Sequence, residues 1–165
     1  MSGSWPSDKD VPPTVLMAQA VPTASWLPCI AALPAGVTFE SVDIRSGRGR
    51  IWLDSGHEGR HAIRVTLTQQ CEPTGVVEPG PQPGMARYVR ADRTSTRYRG
   101  DWDHVFTGGC VNYHFDLPVK TGETSMAAIA AGLGFVRRDA VAQWVSDDSD
   151  GRLDLDPPDK EEGTP

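Results

Sequence analysis

Two segments of the chain alternate strictly between apolar and polar residues. The apolar positions are Ile63, Val65 and Leu67 in the first segment, and Val111, Tyr113, Phe115 and Leu117 in the second. Alternation with a period of two places one set of side chains on each face of a β-strand. The pattern therefore predicts two half-buried strands of an antiparallel sheet, over residues 61–67 and 111–117.

Less regular strand patterns occupy much of the chain around these two segments. Residues 37–45 and 50–54 predict a hairpin that turns through residues 46–49. Residues 87–99 predict one or two exposed strands. The segment 72–84 contains four prolines and three glycines, and this composition predicts a surface loop.

Helical spacing appears only after residue 120. The positions of Met126, Ile129 and Leu133 predict a helix over residues 125–133, and residues 138–145 predict a second, shorter helix. Leu153 and Leu155 follow a turn and suggest a short final strand. Strands followed by helices indicate an α+β fold, an antiparallel sheet of about five or six strands with one or two C-terminal helices packed on one face.

The length of the chain predicts a single domain with polar ends. We expect residues 1–25 to form a disordered or extended lead-in, residues 26–156 a single α+β domain, and residues 157–165 a disordered acidic tail. The net charge is −6, and residues 147–165 hold eight acidic and two basic side chains. That segment carries the whole net charge, so the acidity describes a solvated tail and is no sign of a basic partner.

The three cysteines, Cys29, Cys71 and Cys110, are too few and too widely separated for a zinc knuckle. Cys71 and Cys110 each lie at an end of one of the two alternating strands, so the prediction is a disulfide between them. By its spacing, Cys71 falls on the apolar face of its strand, whereas Cys110 falls on the polar face. A bond in register would therefore need a bulge or a loop, which Gly108 and Gly109 can supply. A bridge to Cys29, or no bridge, remains open.

The N-terminal region leaves two locations open. Residues 1–10 are polar and lack the basic segment of a signal peptide, and no stretch approaches about 18 uninterrupted apolar residues, so no transmembrane segment is predicted. Either the protein is cytoplasmic with free thiols, or this chain is the soluble part of a protein that is anchored upstream of Met1.

His57, Glu58 and His61 match the H-E-x-x-H motif of zinc proteases. On a helix, residues four apart share one face, so both imidazoles reach one zinc ion while the glutamate acts as base. Gly56 and Gly59 disfavour a helix, and His61 begins a segment with the period of a strand. A polar hairpin turn is therefore the favoured interpretation, and a metal-dependent hydrolase the alternative.

Arginines alternate with aromatic residues between positions 87 and 102. The cluster comprises Arg87, Tyr88, Arg90, Arg93, Arg97, Tyr98, Arg99 and Trp102. Guanidinium groups grip phosphates and aromatic rings stack on bases, so these residues form a candidate binding surface for a nucleic acid or another polyanion. The neutral charge of the domain disfavours a nucleic acid.

Leu27-Pro28-Cys29, the cysteine that follows the first alternating strand, and the segment 106–113 together resemble uncharacterised small domains of actinobacterial membrane-associated or exported proteins. The resemblance covers about residues 22–155. It implies an extracytoplasmic or membrane-associated location in a bacterium, and a disulfide. It implies no catalytic residue.

No constellation in the sequence identifies an active site, and no cofactor is predicted. Our first hypothesis is a non-catalytic, extracytoplasmic domain that binds another protein or a component of the cell envelope. The alternatives are polyanion binding through the segment Arg87–Arg99 and a hydrolase that uses His57, Glu58 and His61. The sequence does not identify the ligand.

Overall fold

The computed structural model describes residues 13–55 and 59–148. The helices in these ranges are α1 (Pro13–Ala20), α2 (Gly122–Gly132) and α3 (Arg138–Asp148). The strands are β1 (Trp26–Ile30), β2 (Val37–Arg45), β3 (Arg48–Ser55), β4 (Gly59–Thr68), β5 (Val76–Pro79), β6 (Ala86–Arg93), β7 (Arg97–Phe106), β8 (Gly109–Pro118) and β9 (Leu133–Arg137).

The main sheet is antiparallel and has seven strands in the order β2-β3-β4-β8-β7-β6-β5. It consists of two meanders, β2 to β4 and β5 to β8, that meet where β4 pairs with β8. These are the two strands that the alternation predicts, and Val65 lies opposite Tyr113 in their register. Paired residues share a face, so the apolar residues of both strands form one continuous apolar surface.

Helices and a second, two-stranded sheet cover this apolar face. Helix α1 packs on β1, β2 and β3, and α2 packs on β7, β8 and β9. The two-stranded sheet pairs β1 with β9, and Leu27 and Phe135 bring its apolar side into the core. The opposite face of the main sheet, which we call the outer face, carries the polar side chains of the same strands, and the candidate site lies there.

The observed architecture confirms a mixed fold of helices and an antiparallel sheet, but the sheet is larger than the five or six strands expected. The two expected C-terminal helices are present as α2 and α3, but the helices are not all C-terminal, because α1 lies within the expected disordered or extended lead-in. Val15, Met17 and Ala18 of α1 are buried in the core, and proline is well tolerated at the first position of a helix. Residues 13–20 are apolar enough to form a buried helix, although the lead-in as a whole is polar.

Two short strands also lie where the sequence predicts none. Strand β5 falls within the expected loop 72–84, and its Val76 and Val77 are exposed at the edge of the sheet. Strand β9 follows directly after α2 and is held by pairing with β1. Both are short and depend on a partner strand: β9 on β1, which is distant in sequence, and β5 on β6, the next strand in the chain. The expected final strand at residues 153–155 and the acidic tail lie outside the described residues.

The structure confirms the disulfide between Cys71 and Cys110, whose Cα atoms are 6.0 Å apart. Cys71 lies beyond Thr68, the last residue of β4, so the loop that follows the strand provides the bond geometry, and the parity of the strand no longer applies. The bond spans 39 residues. Restricting the unfolded chain in this way stabilises the fold by about 4 kcal/mol in the chain-entropy model.

The turn between β7 and β8 is fixed against the start of the small sheet. Gly108 has a φ of +79°, and its carbonyl accepts a hydrogen bond of 2.7 Å from the Thr23 hydroxyl. A Cβ at Gly108 would overlap the carbonyl oxygen of Thr23. Gly47 has a similar φ of +84°, but a Cβ added there would meet no atom within 4 Å.

We predict that Gly108→Ala destabilises the protein more than Gly47→Ala does. Gly47→Ala meets only the left-handed backbone penalty of about 1–2 kcal/mol, whereas Gly108→Ala also clashes with Thr23, which costs about 1–3 kcal/mol more. Urea unfolding of both variants measures the difference. Equal losses of stability would show that residues 107–108 are not anchored on Thr23.

Candidate functional site

The structure divides the predicted binding surface of arginines and aromatic residues between the two faces of the sheet. Strand register places Arg87 beside His104 and Arg93 beside Tyr98, on the side of the helices. Trp102 lies on that side too. Tyr88, Arg90, Arg97 and Arg99 lie on the outer face. Alternation along each strand separates the two sets of side chains. The register between the strands decides which set faces the helices.

Four arginines of this cluster are paired with carboxylates. The pairs are Arg87 with Glu78, Arg90 with Asp101, Arg93 with Glu123 and Arg97 with Asp116. Arg99 is exposed. Three of these pairs lie within the sheet and the Arg93 pair reaches α2, and together they neutralise most of the positive charge that the sequence places in this segment.

Arg87 reaches the fully buried imidazole of His104. Its Nε donates a hydrogen bond of 3.1 Å to His104 Nε2, so the imidazole proton lies on Nδ1, which donates to the Val111 carbonyl at 3.2 Å. The guanidinium group also lies over Trp102, 5.0 Å from its ring centroid. Burial, followed by the charge of Arg87, lowers the pKa of His104 to about 4.

The described part of the H-E-x-x-H motif lies on a strand. His57 and Glu58 fall outside the described residues, whereas Gly59 pairs with Ser55 at the start of β4. His61 belongs to the same strand. The described part of the motif is therefore extended, and the helical spacing by which the motif binds zinc is absent from it.

A polar network crosses β7 and β8 on the outer face. The Asn112 amide donates to Oδ1 of both Asp101 and Asp103, at 3.2 and 2.8 Å. His114 Nδ1 lies 3.0 Å from Asp101 Oδ1. Burial acts to raise the pKa of Asp101, but hydrogen bonds from His114, Asn112 and Arg90 outweigh it and lower the pKa.

Asp103 differs from its neighbour although both accept from Asn112. Burial raises the pKa of Asp103, and the nearby charge of Asp101 raises it further, against the hydrogen bond from Asn112. Asp103 also lies beside the disulfide, and the two sulfur atoms and a carboxylate oxygen are within 4.8 Å of one another. Because Cys71 and Cys110 are joined, neither offers a thiolate to a metal ion.

The other half of the outer face carries arginines around one tryptophan. Arg64 lies opposite Trp52 in the register of β3 and β4, and its Cζ is 5.7 Å from the centroid of the ring. Arg50 lies two residues before Trp52 on the same face, with its Cζ at 5.5 Å. With Arg48 these residues form what we call the Trp52 patch: Arg48, Arg50, Trp52 and Arg64.

The positive charges of the Trp52 patch interact unfavourably with one another. Arg48 donates to Asp43 Oδ2 at 3.5 Å, and that carboxylate also accepts from Arg45 at 3.3 Å. The pKa of Arg50 is lowered by burial first and then by the charges of Arg48 and Arg64, while Asp43 opposes the shift. A bound anion would relieve this repulsion.

The patch also contains unused hydrogen-bond donors. The Nε atoms of Arg48, Arg50 and Arg64 are buried and have no hydrogen-bond partner. Beside them, Thr66 is opposite Arg50 in register, is only 8% exposed, and its hydroxyl also lacks a partner. Buried polar groups are normally hydrogen-bonded, so these donors indicate a surface suited to an oxygen-rich ligand.

The Trp52 patch is absent from the sequence-based predictions, although part of the pattern that produces it is present in the chain. Arg50, Trp52 and Asp54 alternate along a predicted strand, and Arg64 belongs to the polar set of the strand over residues 61–67. The missing information is the register that places Arg64 beside Trp52. Residues 12 positions apart meet only in the folded sheet.

Comparison with protein-family models, curated proteins and solved structures found no match. Within residues 13–55 and 59–148, no helix is both long and apolar enough to cross a membrane.

We predict that His104 makes stability depend on pH between about 6.5 and 4. The folded-state pKa is about 4, below the value of about 6.5 for an unfolded chain. The stabilisation is therefore present above pH 6.5 and is lost as the pH falls towards 4, by an amount on the order of 3 kcal/mol. His104→Gln should show a flatter dependence than the wild type in urea unfolding at several pH values.

Ile129→Ala is the control, because it removes buried apolar contacts of a side chain that is 1% exposed and removes no titratable group. It should lower stability at every pH and keep the pH dependence of the wild type across this range. An unchanged pH dependence in His104→Gln would contradict the assignment of the transition to this buried imidazole.

Proposed function

We propose that this protein is a non-catalytic binding domain and that the Trp52 patch holds anionic groups of an extended polymer. The observation that supports this most directly is the set of three guanidinium groups around one indole, with buried Nε donors that lack partners. Arginine is suited to such a role because its planar fork binds phosphate and carboxylate oxygens and also stacks on aromatic rings.

The shape of the patch favours a polymer over a small anion. Arg48, Arg50 and Trp52 follow one another at alternate positions of β3, so their side chains are spaced by about 6–7 Å along a strand. The patch is part of a sheet face, and side chains of β3 and β4 contribute to it side by side. A row of cations on such a face matches a chain with repeated anionic groups.

The location that we propose for this function is outside the cytoplasm. The disulfide between Cys71 and Cys110 supports this, since such bonds persist in oxidising compartments. An anionic polymer of the cell envelope is then the ligand class that combines the location with the charge of the patch. In a cytoplasmic protein the two cysteines would be reduced, which intact-mass analysis after alkylation of unreduced protein would detect.

Heparin fragments provide a probe for the patch. We predict that the double variant Arg50→Gln/Arg64→Gln binds them more weakly, and that the slope of log affinity against log salt concentration falls by about 2 because two anion contacts are lost. Tryptophan fluorescence titrations over a series of salt concentrations measure both quantities.

The matched control is Arg97→Gln/Arg99→Gln, which removes the same charge from the same face of the sheet. It should bind like the wild type. If this control loses affinity and the Arg50/Arg64 variant does not, the binding surface is the Arg87–Arg99 cluster. If neither variant loses affinity, polyanion binding at the outer face is wrong.

A further inference from the structure

The Cys71–Cys110 disulfide has one accessible and one buried end. Cys71 is partly exposed in the loop after β4, whereas Cys110 is 1% exposed within β8. Exchange begins when a thiolate attacks one sulfur along the bond and the other sulfur leaves. Access therefore selects Cys71 as the sulfur that is attacked and Cys110 as the sulfur that leaves.

The leaving sulfur would be released into buried surroundings next to a carboxyl group. Asp103 is 8% exposed, and one of its oxygens lies within 4.8 Å of both sulfur atoms. A thiolate formed in such surroundings is unfavourable unless it is protonated or paired. The two arginines nearest to this region in register both pair with carboxylates: Arg48, which lies across Thr68 from Cys110, pairs with Asp43, and Arg90 pairs with Asp101.

The surroundings of Asp103 act on its pKa in both directions: burial and the charge of Asp101 raise it, whereas the hydrogen bond from Asn112 and the charge of Arg90 lower it, and the net shift is upward. Across β6 it faces Tyr88, and across β8 it faces Asn112, which donates to its Oδ1. Asp101 lies two residues away on the same strand, carries negative charge, and takes both the Arg90 pair and the contact with His114.

We propose that the Cys71–Cys110 bond exchanges with an external dithiol, and that Asp103 protonates the Cys110 sulfur as it leaves. A thiolate of the dithiol attacks Cys71 Sγ, the S–S bond breaks, and Cys110 Sγ takes its electron pair and the proton of Asp103. The second thiol of the reagent loses its proton to water and attacks the reagent sulfur that is bound to Cys71. Cys71 then leaves as a thiolate and is protonated by water.

Overall, the protein disulfide undergoes a two-electron reduction. The protein disulfide becomes two thiols, the dithiol becomes a disulfide, and Asp103 regains its proton from water. The proposed chemistry uses no residue of the Trp52 patch, although Arg48 of that patch lies two strands from Cys110 in register, across Thr68. This activity can therefore stand or fail separately from polymer binding.

The test is the rate at which dithiothreitol reduces the native full-length protein at pH 6, measured by alkylation and intact mass. Asp103→Asn keeps the size of the side chain and an acceptor for Asn112 but removes the proton donor. We expect it to be reduced at least about tenfold more slowly than the wild type. Asp116→Asn, which removes a partly exposed carboxylate on β8, should stay within about twofold of it.

The sign of the effect decides the proposal. A carboxylate that stayed ionised would repel the incoming thiolate, so a faster reduction of Asp103→Asn would overturn it. Equal rates for Asp103→Asn and the wild type would overturn it as well.

Two controls separate exchange in the native state from unfolding. The rate should increase in proportion to the dithiothreitol concentration, and a plateau would show that reduction requires unfolding and would overturn the proposal. In 6 M guanidinium chloride the three proteins should be reduced at the same rate, because the contact between Asp103 and the sulfur atoms is then lost.

Discussion

The pairing of β4 with β8 is the contact on which the rest of the structure depends. It joins two meanders that are each built from neighbouring strands, and it is the one place where the main sheet pairs strands that do not follow each other in the chain. Closing such a contact costs chain entropy before the strands gain anything from it. The disulfide between Cys71 and Cys110 bridges this junction, so it limits that cost in the unfolded chain.

The same pairing brings the two candidate sites together on one face, because Arg64 of the Trp52 patch lies opposite His114 of the polar network. It sets the outer face of β4 beside that of β8. The Trp52 patch then lies on the side of β3, and the polar network and the disulfide lie on the side of β7. Charge is distributed unevenly between these halves. On β7 and β8, Asp101 and Asp116 neutralise arginines of their own meander, whereas Arg48, Arg50 and Arg64 repel one another around Trp52.

On the apolar face of the sheet, the main constraint is the burial of a histidine. His104 is fully buried among Tyr113 and Phe135, and burial, followed by the charge of Arg87, lowers its pKa and favours the neutral imidazole. Its two hydrogen bonds satisfy both ring nitrogens. The arginine thus serves the core, and its place in the sequence beside Tyr88 and Arg90 is no indication of a shared surface.

Much of the architecture could be predicted from local patterns. The two alternating strands, the hairpin of β2 and β3, helix α2 and helix α3 all lie close to their expected positions, because each combines a strong period with suitable turn residues. Strands β5 and β9 could not be predicted in this way, since each is short and gains its stability from a partner strand. Helix α1 was hidden by the polar and proline-rich composition around it.

The candidate site was predicted only in its parts. The polar set of each strand contained the relevant residues, Arg50, Trp52 and Arg64 among them, but sequence proximity favoured the arginines at 87–99. Those arginines have carboxylate partners that come from other strands or from α2. Whether an arginine is neutralised depends on what lies beside it, and composition alone does not contain that information.

The sequence by itself determined the period of its strands, the polar and apolar face of each, and the pair of cysteines placed to cross-link them. These properties follow from the geometry of one strand, in which alternate side chains point to opposite sides. Only the tertiary structure decided the register between β3 and β4, the neutralisation of the β6 and β7 arginines, and the approach of Asp103 to the disulfide. Each of these depends on distances between residues far apart in the chain, and such distances exist only once the strands have paired.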